Sequence, residues 1–423
     1  MLTNKSTMRN NITILAFSLL FAVHAQAEVS AELGVAYEYS DNIYKSSTDK
    51  IDATTPSADI ALGYNKTLPS TNIALNYSGE YSDSSEDELQ DSSYWIGRST
   101  LSQQIFSKNI LVNLSHTRQR YIINQDEVAL ESNTDEQDIL AGQLQWSIPY
   151  SSRSTFVFGA TQTQTTYQDS SSNDYKTNTG SIKWQHTLSE ISQFELSYSN
   201  SENQFDNVDY TYTEQNLDAQ LTRQYRLGSY SFNVGRVWIE IDDEDEIYST
   251  PNNNYGFTID AQIRQHLVSF NAAYALTNTA NQIGTDNDLD FSDYQIYKQT
   301  NISLQYQYNT SNLRSLNTLR FYFIRDDEIN STDPDDQDQY GVYGETTYSI
   351  TKKMSYGISL DCYELQPTNS DNRQFIEAKI GFDYNLTPSL YLQFTAALEK
   401  QRSDQSSINY EEQVYSTRLA YTY

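Results

Sequence analysis

Side chains that change character at every second residue run through this chain, and no other feature limits its fold as severely. Phe257, Ile259, Ala261 and Ile263 oppose Thr258, Asp260, Gln262 and Arg264. Ile376, Ala378, Ile380, Phe382 and Tyr384 oppose Glu377, Lys379 and Asp383, and Leu390, Leu392, Phe394, Ala396 and Leu398 oppose Gln393, Thr395 and Glu399. A period of two belongs to the β-strand, whose successive side chains point to opposite faces; a helix would not keep charges and aliphatics in such strict alternation. The connections between runs also take turns. Short ones (68–70, 107–109, 226–229, 351–353, 386–389) rotate with longer ones rich in Asp, Ser and Asn at 41–52, 83–91, 123–134, 168–174, 243–254, 281–290, 327–337, 366–373 and 403–410. A soluble sandwich has no reason to keep two turn classes in rotation.

Those two rhythms predict an all-β chain folded as a transmembrane antiparallel up-and-down β-barrel of about 20 strands, with about 18 as the alternative count. Closing one sheet on itself removes the exposed edges that hydrocarbon cannot tolerate. Only 37% of residues are hydrophobic, which suits a barrel because only alternate residues of the membrane band meet lipid. The 35 tyrosines suit both a strand and the headgroup boundary. A net charge of −29 speaks against nucleic acid as a partner. The N-terminus reads as a secretory signal peptide over 1–27. Lys5 and Arg9 precede the apolar run Ile14–Val23, and Ala25-Gln26-Ala27 supplies small residues for cleavage. The barrel is expected over 28–423. Cys362, the lone cysteine, shares parity with Ile358 and Leu360 and reads as a small apolar residue.

Two segments carry resemblances. Tyr415, Leu419, Tyr421 and Tyr423 share one face of a strand that stops on an aromatic residue. This resembles the closing strand of bacterial outer-membrane β-barrels. The resemblance implies that these residues form the signal read by the barrel assembly machinery, and that the chain lies in a Gram-negative outer membrane among lipid and lipopolysaccharide. Near the other end, Tyr37-Glu38-Tyr39-Ser40-Asp41-Asn42-Ile43-Tyr44 is similar to the opening motif of a family of porin-like outer-membrane barrels, often encoded beside exopolysaccharide synthesis and sorting systems. Within it, Tyr39, Ser40, Asp41, Asn42 and Ile43 carry the match. That family implies polysaccharide as cargo and a periplasmic export partner. Read by their chemistry alone, Asp41 and Asn42 can make a local turn that ends the first strand.

Chemistry on the chain is sparse. Ser115 and His116 are adjacent and so point to opposite faces, while His186 and His266 lie beside short turns. No Ser–His pair has the spacing of a nucleophilic site, and the chain is not expected to be an enzyme. Asp326-Asp327-Glu328 and Asp333-Pro334-Asp335-Asp336 could offer oxygens to calcium but lack the glycine of an EF-hand, and read as a solvated acidic rim; no cofactor is expected. The predicted inner face is mixed in sign, with Arg98, Lys183, Asp260, Arg264, Glu377, Lys379, Asp383 and Arg418 as candidate lumen residues. Such a wall suits hydroxyl-rich solutes, and equally suits ion pairs that brace it. Arg236 shares parity with Tyr230, Phe232 and Val234, while Val237, Ile239 and Ile241 take the other; a bulge near Gly235 or a headgroup position for Arg236 would account for it. An unobstructed hole this wide would compromise a membrane, so the barrel is expected to be flattened, filled by lumen side chains or stoppered from the periplasm. Two functions compete: a conduit for polysaccharide or small hydrophilic solutes, and a non-conducting structural or adhesive barrel that presents acidic loops.

Overall fold

The fold follows from a computed structural model that describes residues 28–86, 92–106, 108–122, 134–168, 174–206, 211–242, 247–278, 296–310, 314–328, 336–368, 371–403 and 408–423. The signal segment 1–27 lies outside the described residues, as do Asp333 and Asp335. The strands are β1 (Glu28–Ser40), β2 (Ala53–Leu68), β3 (Thr71–Ser82), β4 (Ser92–Ile105), β5 (Ile110–Ile122), β6 (Thr134–Pro149), β7 (Ser154–Tyr167), β8 (Tyr175–Ser189), β9 (Ser192–Phe205) and β10 (Thr211–Tyr225). They continue as β11 (Gly228–Asp242), β12 (Ile247–Ile263), β13 (His266–Asn278), β14 (Ile296–Asn309), β15 (Ser315–Glu328), β16 (Gln337–Thr351), β17 (Met354–Pro367), β18 (Arg373–Asn385), β19 (Leu390–Ser403) and β20 (Tyr410–Thr422). All 20 belong to one sheet in which each strand pairs antiparallel with its neighbours in sequence. β1 also pairs with β20, from Glu32↔Thr422 to Ser40↔Val414, so the sheet closes. The expected count of 20 holds, and both ends of the barrel chain sit on the rim of short turns.

Alternation sets the two faces. Val29, Leu33, Val35 and Tyr37 of β1, Leu140, Leu144 and Trp146 of β6, and Ile358 and Leu360 of β17 point outward and are exposed. Each such side chain left in water would forfeit roughly 1.5–3 kcal/mol of transfer free energy, so this belt needs an apolar surround. The opposite parity faces inward. The strands run from 12 residues in β3 to 17 in β12, longer than the roughly 9–11 needed to cross a bilayer, so the wall extends past the apolar belt.

That extension explains β11 and corrects the expected bulge. Pairing runs unbroken through Gly235, which faces Asp218 on β10 and Asn254 on β12. Arg236 therefore stays on the outer face, with its guanidinium 5.5 Å from the ring of Trp238. What changes past Gly235 is polarity, not register. Val237 and Ile239 point inward and are 2% and 1% exposed, while Glu240 points outward. Neighbouring strands agree: Gln162 and Gln164 on β7, Asn178 on β8 and Asn200 and Glu202 on β9 all face outward near the loop rim. Here the outside is wet and the inside apolar, as in a water-soluble sheet.

Two loop boundaries also differ from expectation. Residues 247–254, read as loop, belong to β12; they pair with β11 alone, since the β12–β13 ladder begins at Tyr255↔Tyr274. A strand bonded on one side can carry Pro251 without losing a ladder bond. A tenth connection on the rim of the long loops, 206–210, joins β9 to β10 and was not separated in the sequence.

Candidate functional site: the inner wall

The closing seam is held by a charged knot. Arg418 on β20 donates to both carboxylate oxygens of Asp59 on β2, at 3.0 and 2.5 Å, and to Glu32 Oε1 on β1 at 2.6 Å. A further guanidinium N–H reaches the Tyr391 hydroxyl on β19 at 2.5 Å, and that hydroxyl donates to Glu32 at 2.7 Å. Four strands are thus tied across the joint. Gly34 makes room for the knot: a Cβ there would lie 2.3 Å from Asp59 Oδ1. The carboxylates of Asp59 and Glu32 engage Arg418, so this lumen candidate braces the wall.

Residues Tyr39, Ser40, Asp41, Asn42 and Ile43 lie at the other end of the same seam. Ser40 Oγ donates to Glu412 on β20 at 2.5 Å and accepts the Asn42 amide at 3.1 Å. Asp41 Oδ1 accepts the Gln413 amide at 2.7 Å. The Asn42 side chain donates to the carbonyls of Ser46 and Glu411 and accepts the Ser46 amide. Ile43 N–H bonds the Ile51 carbonyl at 3.0 Å, and Tyr39 stacks on Tyr415 outside the barrel. The motif is a clasp that folds loop 41–52 back over β20. It also aims Lys45, in the left-handed region at φ 50°, into the mouth, where its ammonium pairs with Glu399 and lies 4.0 Å from Glu412. Burial works against that charge, but Glu399 and then Tyr410 and Glu412 hold Lys45 above the usual lysine range.

Between clasp and knot, the inward residues of β16–β20 form rungs set by the pairing register. Nearest the loop rim come Tyr363, Phe375 and Gln401, with the rings of Tyr363 and Phe375 stacked 4.6 Å apart. The next rung is acidic: Asp361, Glu377, Glu399 and Glu412 stand directly opposite one another on four successive strands. Below it lie Glu345, Ser359, Lys379 and Ala397, then Thr347, Gly357, Gly381, Thr395, Ser416 and Glu38, then Ser355, Asp383, Gln393 and Arg418. Asp383 accepts from Gln393 at 2.9 Å and Ser355 at 3.3 Å. Like charges directly opposite cost stability, and Lys45 offsets only part of this. Glu377 was singled out in the sequence, but Asp361, Glu399 and Glu412 were not. The signal that unites them is register, which alternation alone does not reveal.

The remaining lumen candidates scatter. Lys183 faces inward and pairs with Glu195 at 2.7 Å; Asp260 faces inward and accepts from Ser269 at 2.6 Å. Arg98 faces inward between Asn76 and Thr117, with no side-chain partner among the described residues. Arg264 corrects the expectation: it lies in the turn between Ile263 and His266 at φ 57°, on the turn rim rather than the lumen wall. On the closing strand, Tyr415, Leu419 and Tyr421 face outward, and Tyr423 pairs through its backbone with Ala31.

On the side of the barrel formed by β6–β11 the mouth is packed. Gln137, Thr165, Tyr167, Phe205, Tyr212, Val237 and Ile239 all point inward and are buried, Tyr212 completely. Gln137 donates to the Tyr167 hydroxyl at 2.7 Å, and Tyr212 to Glu214 at 3.1 Å, so the polar atoms inside this cluster are satisfied.

The described histidines sit on the outer wall. His116 bonds Tyr77 at 2.6 Å and Asp138 at 3.1 Å, and Arg118 also engages Asp138 and Glu136. His186 Nδ1 lies 2.7 Å from Ser154 Oγ, a Ser–His pair that sequence spacing did not show; Ser154 is only 7% exposed, which keeps it from a substrate. Asp326 and Asp327 alternate between faces, and Asp327 is taken by Arg325 at 2.7 Å, so they do not converge on one ion.

No family model and no curated protein matches the chain. Solved structures do. The FrpB iron transporter from Neisseria meningitidis (F5-1 variant, apoprotein form) is similar over 96% of this chain and 83% of its own, with a TM-score of 0.57 and 8% identity. The siderophore receptor PirA from Pseudomonas aeruginosa is similar over 95% of this chain and 81% of its own, with a TM-score of 0.51 and 11% identity. At such identities the likeness is one of fold: the chain has the fold of outer-membrane β-barrels.

Proposed function

We propose that this barrel resides in a Gram-negative outer membrane, with its long loops outside, and serves as a passive conduit for hydrophilic solutes. One observation carries the reading. Glu377 and Arg98 face the inside of a closed sheet without an ion pair to any described residue, in contrast to Arg418. An unpaired charge costs several kcal/mol away from water, so water must reach these groups, and a water-filled barrel is a path. The porin-like motif supports polysaccharide as cargo and a periplasmic export partner, and the aromatic closing strand supports recognition by the assembly machinery.

The second reading, a barrel that presents loops and conducts nothing, draws support from the packed mouth on β6–β11. Liposome swelling separates the two. The conduit predicts that proteoliposomes swell in small sugars and progressively less in larger ones. Liposomes that stay inert to every sugar would leave the non-conducting barrel as the function.

A further inference from the structure

Within the inner wall, one rung differs from all its neighbours. Thr347, Gly357, Gly381, Thr395, Ser416 and Glu38 form a continuous cross-strand row from β16 through β20 to β1, and together they line a cavity of about 470 Å³. That size falls in the range of small-molecule sites, but the lining is polar rather than apolar.

The two glycines are not demanded by packing. A Cβ on Gly34, Gly235 or Gly256 would come within 2.3 Å of a neighbouring side-chain atom, whereas at Gly357 nothing lies closer than 3.7 Å and at Gly381 nothing closer than 3.9 Å. Paired glycines weaken a sheet, and where no turn or bulge needs them they mark a place where another molecule approaches the backbone. Beside this bare floor the hydroxyls of Thr347, Thr395 and Ser416 make no side-chain hydrogen bonds to the described residues, which leaves them to face the cavity as donors and acceptors. Lys379 borders the cavity on the loop side as a donor that also feels the Glu38 carboxylate. Asp383, held by Gln393 and Ser355, borders it on the turn side, and the Glu38 carboxylate closes one end as a free acceptor.

We infer that this trough is a saccharide-binding site within the conduit, one that takes an uncharged, polyhydroxylated ring laid against the Gly357–Gly381 floor. The inference rests on the reading of the lumen as a solute path and narrows its substrate class. Ring hydroxyls are both donors and acceptors, as the mixed lining requires. An acidic sugar is disfavoured, because it would meet Glu38 and Asp383 at the trough and the Asp361–Glu377–Glu399 rung two steps toward the loops, with Lys379 as the one cation between.

The test is calorimetric titration of the folded full barrel, in a detergent without a sugar headgroup, using maltotriose, cellotriose and triacetylchitotriose, with trigalacturonate as the acidic probe. At least one neutral trisaccharide should bind at millimolar concentration, with trigalacturonate at least tenfold weaker. Gly381→Leu and Gly357→Leu should each weaken binding at least tenfold. Gly344→Leu, on the outer face where a Cβ also meets nothing, should leave it unchanged. If a leucine in the trough prevents folding, seen as loss of the heat-shifted gel band, Thr395→Val combined with Ser416→Ala removes the hydroxyls without bulk and should weaken binding in the same direction. No binding by any neutral probe, equal binding of trigalacturonate, or trough variants that bind as the parent does would each overturn the site. A barrel that swells liposomes yet binds no sugar loses the trough and keeps the conduit; one that binds sugar yet admits none keeps the trough and loses the conduit.

Discussion

Individual side chains divide into those that lock the barrel and those that leave it open. Arg418 is the clearest lock, since its hydrogen bonds reach three other strands. Arg418→Met should cost about 2 kcal/mol or more, because Glu32 and Asp59 would be left facing each other without a cation. Urea titration of the folded gel band should show the lower midpoint; an unchanged midpoint would mean that the knot is ornamental. Lys45 makes a pH-dependent contribution of a specific sign. Its folded pKa lies above the usual value of 10.5, so its stabilisation is complete below that value and is lost as pH rises through the folded one. Protease attack on loop 41–52 should therefore stay slow from neutral pH up to the ordinary lysine range and accelerate only above it. Acceleration already near neutral pH would argue that Lys45 does not hold the loop. Of these roles, the turn-forming use of Asn42 was legible in the sequence, because a short polar side chain bonding nearby backbone is local chemistry, whereas Asp41 bonds the distant Gln413 amide instead. The partnership of Arg418 with Glu32 and Asp59 was not, since it depends on the two ends of the chain meeting.

Elements were read well where polarity and register agree and poorly where they part. Alternation over Ile376–Tyr384 and Leu390–Leu398 gave β18 and β19 directly, since each strand stays within the apolar belt for most of its length. Residues 236–241 misled because the expected signal of inversion is the same whether a strand slips by one residue or leaves the membrane. The pairing of Gly235 with both neighbours excludes the slip. Asn252–Asn254 and Pro251 looked like loop because a strand bonded on one side tolerates loop-like residues. This view makes the mouth cluster a small soluble core. Ile239→Ala should lower stability by about 2–5 kcal/mol, as for a truncation in any packed core, whereas Val234→Ala on the lipid face should cost much less. Equal effects on the urea midpoint would contradict a core at the mouth. Ile239→Asp should loosen the same cluster and enlarge the cut-off size in liposome swelling.

At the scale of the whole molecule, a greasy exterior and a wet interior follow from one pattern of residues closed into a ring by β1 and β20. Fold class, strand number and the rotation of short and long connections were all legible, because each depends on local sequence. The lumen was legible only as a list of charges. Its sorting into a neutralised knot, an acidic rung and a bare trough requires the register between strands, and loop length and closure fix that. The acidic rung gives the conduit a sign: cations should be favoured over anions, and most of that preference should reside in Glu377 and its neighbours. The most direct measurement is the reversal potential of the purified barrel in a planar bilayer under a potassium chloride gradient. Discrete conductance steps should appear with a reversal potential on the cation side, and Glu377→Gln should move that potential toward zero. A bilayer that stays silent, or steps that favour chloride, would contradict the account.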